Sequence, residues 1–200
     1  KLNGLHAEQV SEEVFRKMSD TSTPQGILCV MKRKQYTPDD LLQAANSLLM
    51  LLEDIQDPGN LGTILRAGEG AGVTGIVMDA NTADIYNPKV IRSTMGSVLR
   101  MPFVYVENLH ETLEELKKKK IRLFAAHLQG KHAYDQEDYT GPAAFLIGNE
   151  GNGLTEETAA MADTYIRIPM EGRVESLNAA VAASVLMFEA ARQRRNHTGK

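Results

Sequence analysis

The chain has 200 residues, 42% hydrophobic and 24% charged, with 22 Lys and Arg against 26 Asp and Glu for a net charge of -4. The apolar fraction excludes a disordered chain, and the length suits one domain, or one domain plus a piece of another. The acidic balance removes bulk attraction to nucleic acid, so RNA or DNA binding would need a local basic patch.

From the amino end, the polar opening stretch has no signal-peptide core. Because it lacks an initiator Met, it reads as the interior of a longer protein. Residues 11–19 predict a helix with Ser11 as N-cap and Val14, Phe15 and Met18 on one face. Residues 20–26 predict a turn-rich break, 27–31 a short strand, and 32–40 a charged linker containing a proline. The single cysteine, Cys29, excludes an internal disulfide framework and a Cys-rich zinc site, and fits a reducing cytosol.

From residue 41 onward, apolar runs predict strands at 48–52, 75–78, 103–106, 122–127, 144–147 and 165–168. Helices are predicted between them at 61–71, 89–97, 109–119, 156–161 and 176–194. Such alternation implies βαβ units and an α/β fold, with a mostly parallel sheet flanked by helices. In the last helix Leu177, Val181, Val185 and Phe188 recur every three or four residues, with Ala179, Ala180, Ala182 and Ala183 between them. Small residues there allow close approach of another backbone, which suits a buried or subunit-interface helix. No run approaches the roughly 18 apolar residues of a membrane span. The absence of Trp and the 6% aromatic content give no platform for stacking bases. The five histidines share no ligand spacing, so no metal is indicated.

The glycines carry the functional signal. Gly70, Gly72 and Gly75 spell G-x-G-x-x-G, but a helix precedes and a strand follows, the reverse of a dinucleotide loop. They read as a helix C-cap and tight turn. DPGNLGTILR (57–66) follows a strand and opens a helix, with Asn60 as N-cap and Gly62 allowing close approach. Arg66 then either faces the crevice at the strand's carboxyl end or is a surface arginine. AAFLIGNEGNGL (143–154) is a buried strand, then a loop of Gly148, Gly151 and Gly153 holding Glu150, with Asn149 and Asn152 tolerant of left-handed backbone. IPMEGRVESLNAA (168–180) leads from a strand through a loop into the last helix, which Ser176 would cap. Two such crossings predict a concave pocket built of main chain. With no Lys beside the glycines, it suits an uncharged heterocycle better than a phosphate.

DPGNLGTILRAGEGAG, FLIGNEGNGL and IRIPMEGRVESLNAAVAASVLMFEA resemble motifs one, two and three of the SpoU (TrmH-type) branch of the SPOUT RNA 2′-O-ribose methyltransferases, in that order, over about residues 48–192. Thr94 stands where the family usually has Ser, so the hydroxyl is kept. The resemblance implies a SPOUT fold with a C-terminal trefoil knot formed by the segment after Ala143, although chains rarely thread their own loops. It also implies a homodimer packed through first- and last-helix surfaces, and S-adenosyl-L-methionine as cofactor. Residues 10–32 resemble the link after the family's L30-like RNA-binding domain. Residues 1–40 are then the end of that domain with its linker, and 41–200 the SPOUT catalytic domain. The implied substrate is RNA, with 23S rRNA ahead of tRNA, in the cytoplasm. A non-catalytic RNA- or donor-binding module is the reading from another class.

The same resemblance assigns catalytic positions to Arg66, Asn60, Glu150, Ser176 and Asn178. It places the cofactor on Ala126, His127, Gly148, Asn149, Gly153, Ile168, Met170 and Leu177, largely through main-chain groups. Each polar residue has a structural alternative: Asn60 and Ser176 as caps, Glu150 as a loop-ordering acceptor, Asn178 as a helix-surface residue. The family assigns the motif-one arginine to activate the hydroxyl. Because Arg stays protonated, Arg66 is better read as a clamp on an RNA phosphate and the 2′-oxygen. Arg66, Arg92, Arg100 and Arg173 flank the motifs and form the expected RNA-facing patch, whereas the lysines at 117–120 read as a solvated helix end.

Overall fold

In a computed structural model of the chain, residues 6–19 and 21–197 are described; residues 1–5, Asp20 and 198–200, which include parts of the expected amino-terminal segment and the 20–26 turn, lie outside the described residues. The chain divides into two units, Lys1–Lys34 and Gln35–Lys200. The first contains α1 (Glu12–Ser19), an amphipathic helix of about two turns held by Glu12–Arg16 and Glu13–Lys17 pairs one helical turn apart. The strand expected at 27–31 does not form. Ile27 is 80% and Val30 93% exposed, and no described segment pairs with them, so neither a ladder nor burial stabilises the extended backbone. Residues 35–40, read from sequence as linker, go with the second unit. There Tyr36 packs on the core, and the 3₁₀ turn Pro38–Leu42 buries Leu41 against Gly75.

Two all-apolar strands dominate the second unit. β1 (Leu48–Leu52) and β6 (Ala143–Ile147) are buried at every position, which is stable only where both faces of a sheet are covered. They join β2 (Gly75–Asp79), β3 (Phe103–Val106), β4 (Arg122–Ala126), β5 (His132–Ala133) and β7 (Thr164–Arg167). The sheet runs β3-β2-β1-β6-β4-β7-β5, and every neighbouring pair is parallel. The expected α/β class and parallel sheet are thus found. Side chains alternate across it. Leu48, Met50 and Leu52 pack with α2 (Pro58–Ala71), α3 (Pro88–Thr94) and α6 (Ala179–His197). Leu49 and Leu51 pack with α4 (Leu109–Lys118) and α5 (Glu156–Ala160).

Several helix ends differ from the sequence reading. Asp57, not Asn60, caps α2: its Oδ1 accepts from Asn60 N at 2.7 Å, with Pro58 at the first helical position where no N–H is needed. Gly72 closes that helix with φ 79, the left-handed C-cap that the reversed glycine pattern predicted. The close approach at Gly62 is to α3, where an added Cβ would strike Ser93. The helix expected through residue 97 stops at Thr94 because Met95 and Gly96 turn left-handed, with φ 51 and 90. Thr94 is buried, and its Oγ1 donates to Ile91 O at 2.8 Å.

The topology places a crevice. β1 hands the chain to α2 on one face, and adjacent β6 hands it to α5 on the other. Where neighbouring strands send the chain to opposite faces, the carboxyl edge opens into the ligand crevice of parallel sheets. The final helix is fastened at its far end. Gln193 Oε1 accepts from Tyr139 N at 2.9 Å, and the Arg194 guanidinium donates to the carbonyls of Asn46, Ser47, Tyr139 and Gly141.

Candidate active site

At the carboxyl edge lies a cleft of about 690 Å³, within the size range of small-molecule sites. Three strand ends supply its walls: Ala126 and His127 at the end of β4, residues 147–154 at and after the end of β6, and residues 166–170 at and after the end of β7. Leu177 and the start of α6, with Ala179, Ala182 and Leu186, complete the lining. All eight residues assigned to the cofactor from sequence line it: Ala126, His127, Gly148, Asn149, Gly153, Ile168, Met170 and Leu177. Glu150 and Ser176 line it too. Residues the sequence reading did not single out, among them Gln129, Arg167 and Glu175, complete the rim.

The 148–154 loop folds tightly on itself. A Cβ on Gly148 would collide with backbone atoms of Gly153 and Leu154, and Gly153 has φ 72. Asn149 and Gly153 form an antiparallel bridge, with Gly153 N donating to Asn149 O at 2.9 Å. The Asn149 side chain organises both directions. Its Oδ1 accepts from Gly151 N (2.9 Å) and Asn152 N (3.1 Å), while its Nδ2 donates to Asp54 O at 2.9 Å. Across the cleft His127 Nδ1 accepts from Gln129 N at 3.2 Å, and the ring lies 5.1 Å from that of Tyr165.

One hydrogen-bonded chain joins the three Gly-rich and Asn-rich segments. Glu150 Oε1 accepts from Asp57 N (3.0 Å) and Asn60 Nδ2 (2.9 Å), and Oε2 from Gln56 N (3.2 Å). Asn60 Oδ1 in turn accepts from Asn178 Nδ2 at 2.9 Å. Burial pushes the Glu150 carboxyl up, but the hydrogen bonds from Asn60 and the amides of Asp57 and Gln56 outweigh it, and the group stays below the usual carboxylate range. Asn178, rather than Ser176, caps α6: its Oδ1 accepts from Ala180 N (2.9 Å) and Val181 N (3.2 Å). The helix therefore starts three residues later than expected, because Asn178 offers an acceptor that also leaves its amide free to reach Asn60.

Arg66 is not brought into the cleft. It sits on the exposed face of α2 with Gly59, Thr63 and Gly70, and its side chain makes no hydrogen bond or ion pair with described residues. Beside it runs the exposed face of α6, where Val181 is 48% and Phe188 49% exposed; a Cβ on Gly70 would lie 3.7 Å from the Phe188 ring. Of the other expected basic residues, Arg100 is paired with Glu69, and its guanidinium draws that carboxyl down to about 2. The Arg92 and Arg173 side chains, like that of Arg66, have no such partner among the described residues. The lysine run is partly engaged, Lys119 with Asp39 at 2.7 Å. Sequence reasoning missed Asp57 as a cap, although an Asp directly before a helix-opening Pro is its signature.

A model of the SpoU rRNA Methylase family matches residues 47–188. The 23S rRNA (guanosine(2553)-2′-O)-methyltransferase RlmP of Bacillus subtilis is 35% identical over 185 residues, covering 92% of this chain and 72% of that protein. Among solved structures, an AdoMet-bound rRNA methyltransferase from Sinorhizobium meliloti superposes with a TM-score of 0.79 at 32% identity, over 94% of this chain and 70% of that one. The SpoU methyltransferase AviRb of Streptomyces viridochromogenes gives 0.75 at 33% identity over 80% of this chain, which spans 64% of the AviRb chain.

Proposed function

The chain belongs to the SpoU rRNA methylase family, and from that premise we propose that it is an S-adenosyl-L-methionine-dependent RNA methyltransferase acting on a ribose 2′-hydroxyl of 23S rRNA. The observation that carries the proposal is convergence. Eight residues assigned to the cofactor from three separated segments line one cleft, and Asn60 at the start of α2 ties the loop of Glu150 to Asn178, at the end of the last of those segments.

The cleft fits the cofactor chemically. Its walls combine main chain and aliphatic side chains, suited to a flat heterocycle, with polar groups of His127, Asn149 and Glu150, and Arg167 and Glu175 at the rim offer both signs of charge to an amino-acid moiety. When bound, S-adenosylmethionine supplies an electrophilic methyl group on a sulfonium. The protein must present the ribose oxygen in line with it and see its proton removed; orientation alone supplies several kcal/mol. Glu150 is not the base in this scheme, because both its oxygens already accept hydrogen bonds that hold the loop. Arg66 acts as a clamp on an RNA phosphate and the 2′-oxygen, its planar fork orienting both, with the phosphate or water taking the proton. Ser176, which lines the cleft, would contact the substrate ribose.

The same proposal covers assembly. The exposed stripe of Val181 and Phe188 beside Arg66 supports a homodimer packed through α2 and α6, which would bring Arg66 to a composite site. A C-terminal trefoil knot would be formed by the segment after Ala143 through α6, and the residues before Gln35 would be the end of an L30-like RNA-binding domain with its linker, since 35–40 go with the second unit. A cytoplasmic enzyme without a metal completes the reading; among the described residues no helix is long and apolar enough to cross a membrane.

Tritium transfer from labelled S-adenosylmethionine tests it. Label in 23S rRNA that maps to an alkali-resistant 2′-O-methyl nucleotide is the expected result. Label in tRNA alone reassigns the substrate, and binding of RNA and cofactor without any transfer refutes the enzyme.

A further inference from the structure

We infer that Glu53, which lies outside all three motifs, is the positioning residue that fixes the exit of the cofactor loop; its effect on binding rests on the function proposed above. Glu53 is the first residue after β1. Its Oε2 accepts from Thr155 N at 2.8 Å, and its Oε1 accepts from Thr155 Oγ1 at 2.9 Å and from the Thr158 hydroxyl. Thr155 directly follows Leu154, the last loop residue lining the cleft, and caps α5 by accepting from Thr158 N.

The loop is thus tied at both ends to a single stretch of chain. Asp54, Gln56 and Asp57 hold Asn149 and Glu150 at its entry, and Glu53 holds its exit. Just before these ties Gly148 packs so closely on the backbone of Gly153 and Leu154 that there is no room for a Cβ. Movement of Thr155 therefore carries Leu154 and Gly153, and the cleft wall with them.

Only a carboxylate performs this task. Three donors converge on two oxygens, and a glutamine would turn an NH₂ group toward one of them. Thr158 is fully buried, so its hydroxyl cannot turn to water instead. A hydroxyl has one proton. Because Thr158 gives it to Glu53, the contact of Thr158 Oγ1 with His110 Nε2 at 2.9 Å must be donated by the ring, which fixes His110 as the Nε2–H tautomer when neutral.

The test uses Glu53→Gln and, should that variant fold poorly, Thr158→Val. Amide exchange without cofactor reads the loop itself: exchange at residues 151–155 is expected to accelerate about tenfold in Glu53→Gln. Calorimetry is expected to show S-adenosylmethionine binding about tenfold weaker, with the KM for RNA and kcat at saturating cofactor within about twofold of the parent. In Thr158→Val, nitrogen-15 spectra of His110 should lose the preference for the Nε2–H tautomer. Unchanged exchange at 151–155 with unchanged cofactor affinity overturns the inference. If the parent chain binds no S-adenosylmethionine, the proposed function fails, while the exchange rates and the His110 tautomer still decide whether Glu53 holds the loop.

Discussion

Gly148 offers the sharpest prediction because the obstacle beside it is backbone. The smallest change, Gly148→Ala, places a methyl group against the main chain of Gly153 and Leu154, neither of which can swing aside like a side chain. Forcing an extra carbon into a packed site costs ~1–3 kcal/mol. The loop can relieve the clash only by stretching the Asn149–Gly153 bridge, whose hydrogen bond contributes ~0.5–1.5 kcal/mol. A total of about 1.5–4.5 kcal/mol lowers Tm by roughly 3–18 °C in a chain of this size. If the same displacement is felt by the bound cofactor, affinity falls by more than about tenfold. His127→Ala and Met170→Ala only trim side chains from the cleft, and each should weaken binding less than about tenfold. Isothermal calorimetry and a thermal melt measure both quantities. Cofactor affinity within threefold of the parent, with an unshifted melt, would refute the placement of the cofactor against this loop.

The other predictions concern residues around the cleft. Arg66→Lys keeps the charge but loses the planar fork, so methyl transfer should fall about 100-fold with cofactor affinity and stability unchanged; a near-normal rate ends the clamp. Glu150→Gln should lower Tm at neutral pH. Since the folded pKa of Glu150 is depressed, its stabilisation is full above the ordinary value of 4.5 and is lost as pH falls through the folded value. The Tm gap between parent and variant should therefore narrow in acid, and a gap constant into strong acid contradicts the assignment. Arg194→Met removes the donors to four carbonyls at the amino edge of the sheet, for an expected loss of ~2–4 kcal/mol, or roughly 5–15 °C of Tm. A melt within two degrees of the parent would show those carbonyls satisfied by water.

Wherever packing repeats at a fixed spacing, the sequence announced it. LLMLL and AAFLI have no polar position and are too short for a buried helix, so they read as strands covered on both sides. The Gly70–Gly75 pattern was readable as a C-cap because flanking periodicities reversed the order a dinucleotide loop requires. Helix ends were less legible. Asn60 and Ser176 are both acceptable caps in isolation, yet Asp57 and Asn178 take those places. The choice turned on which side chains had partners elsewhere: Asn60 is engaged by Glu150, and Asn178 reaches Asn60 while capping. The two-residue strand β5 has no signal of its own and exists because β7 offers it an edge.

Sequence alone determined the parallel α/β class and the segments that build the cleft, because side-chain periodicity and motif spacing are local properties of the chain. Tertiary structure decided which of those residues touch. Glu150 meets Asn60 across 90 positions and Asn178 meets Asn60 across 118. Such pairings depend on the strand order, which puts β6 between β1 and β4 and delivers the start of α6 to the same edge. Arg66 was legible as a residue but not as a location: only the packed α2 and α6 leave it on an open apolar face, outside the cleft.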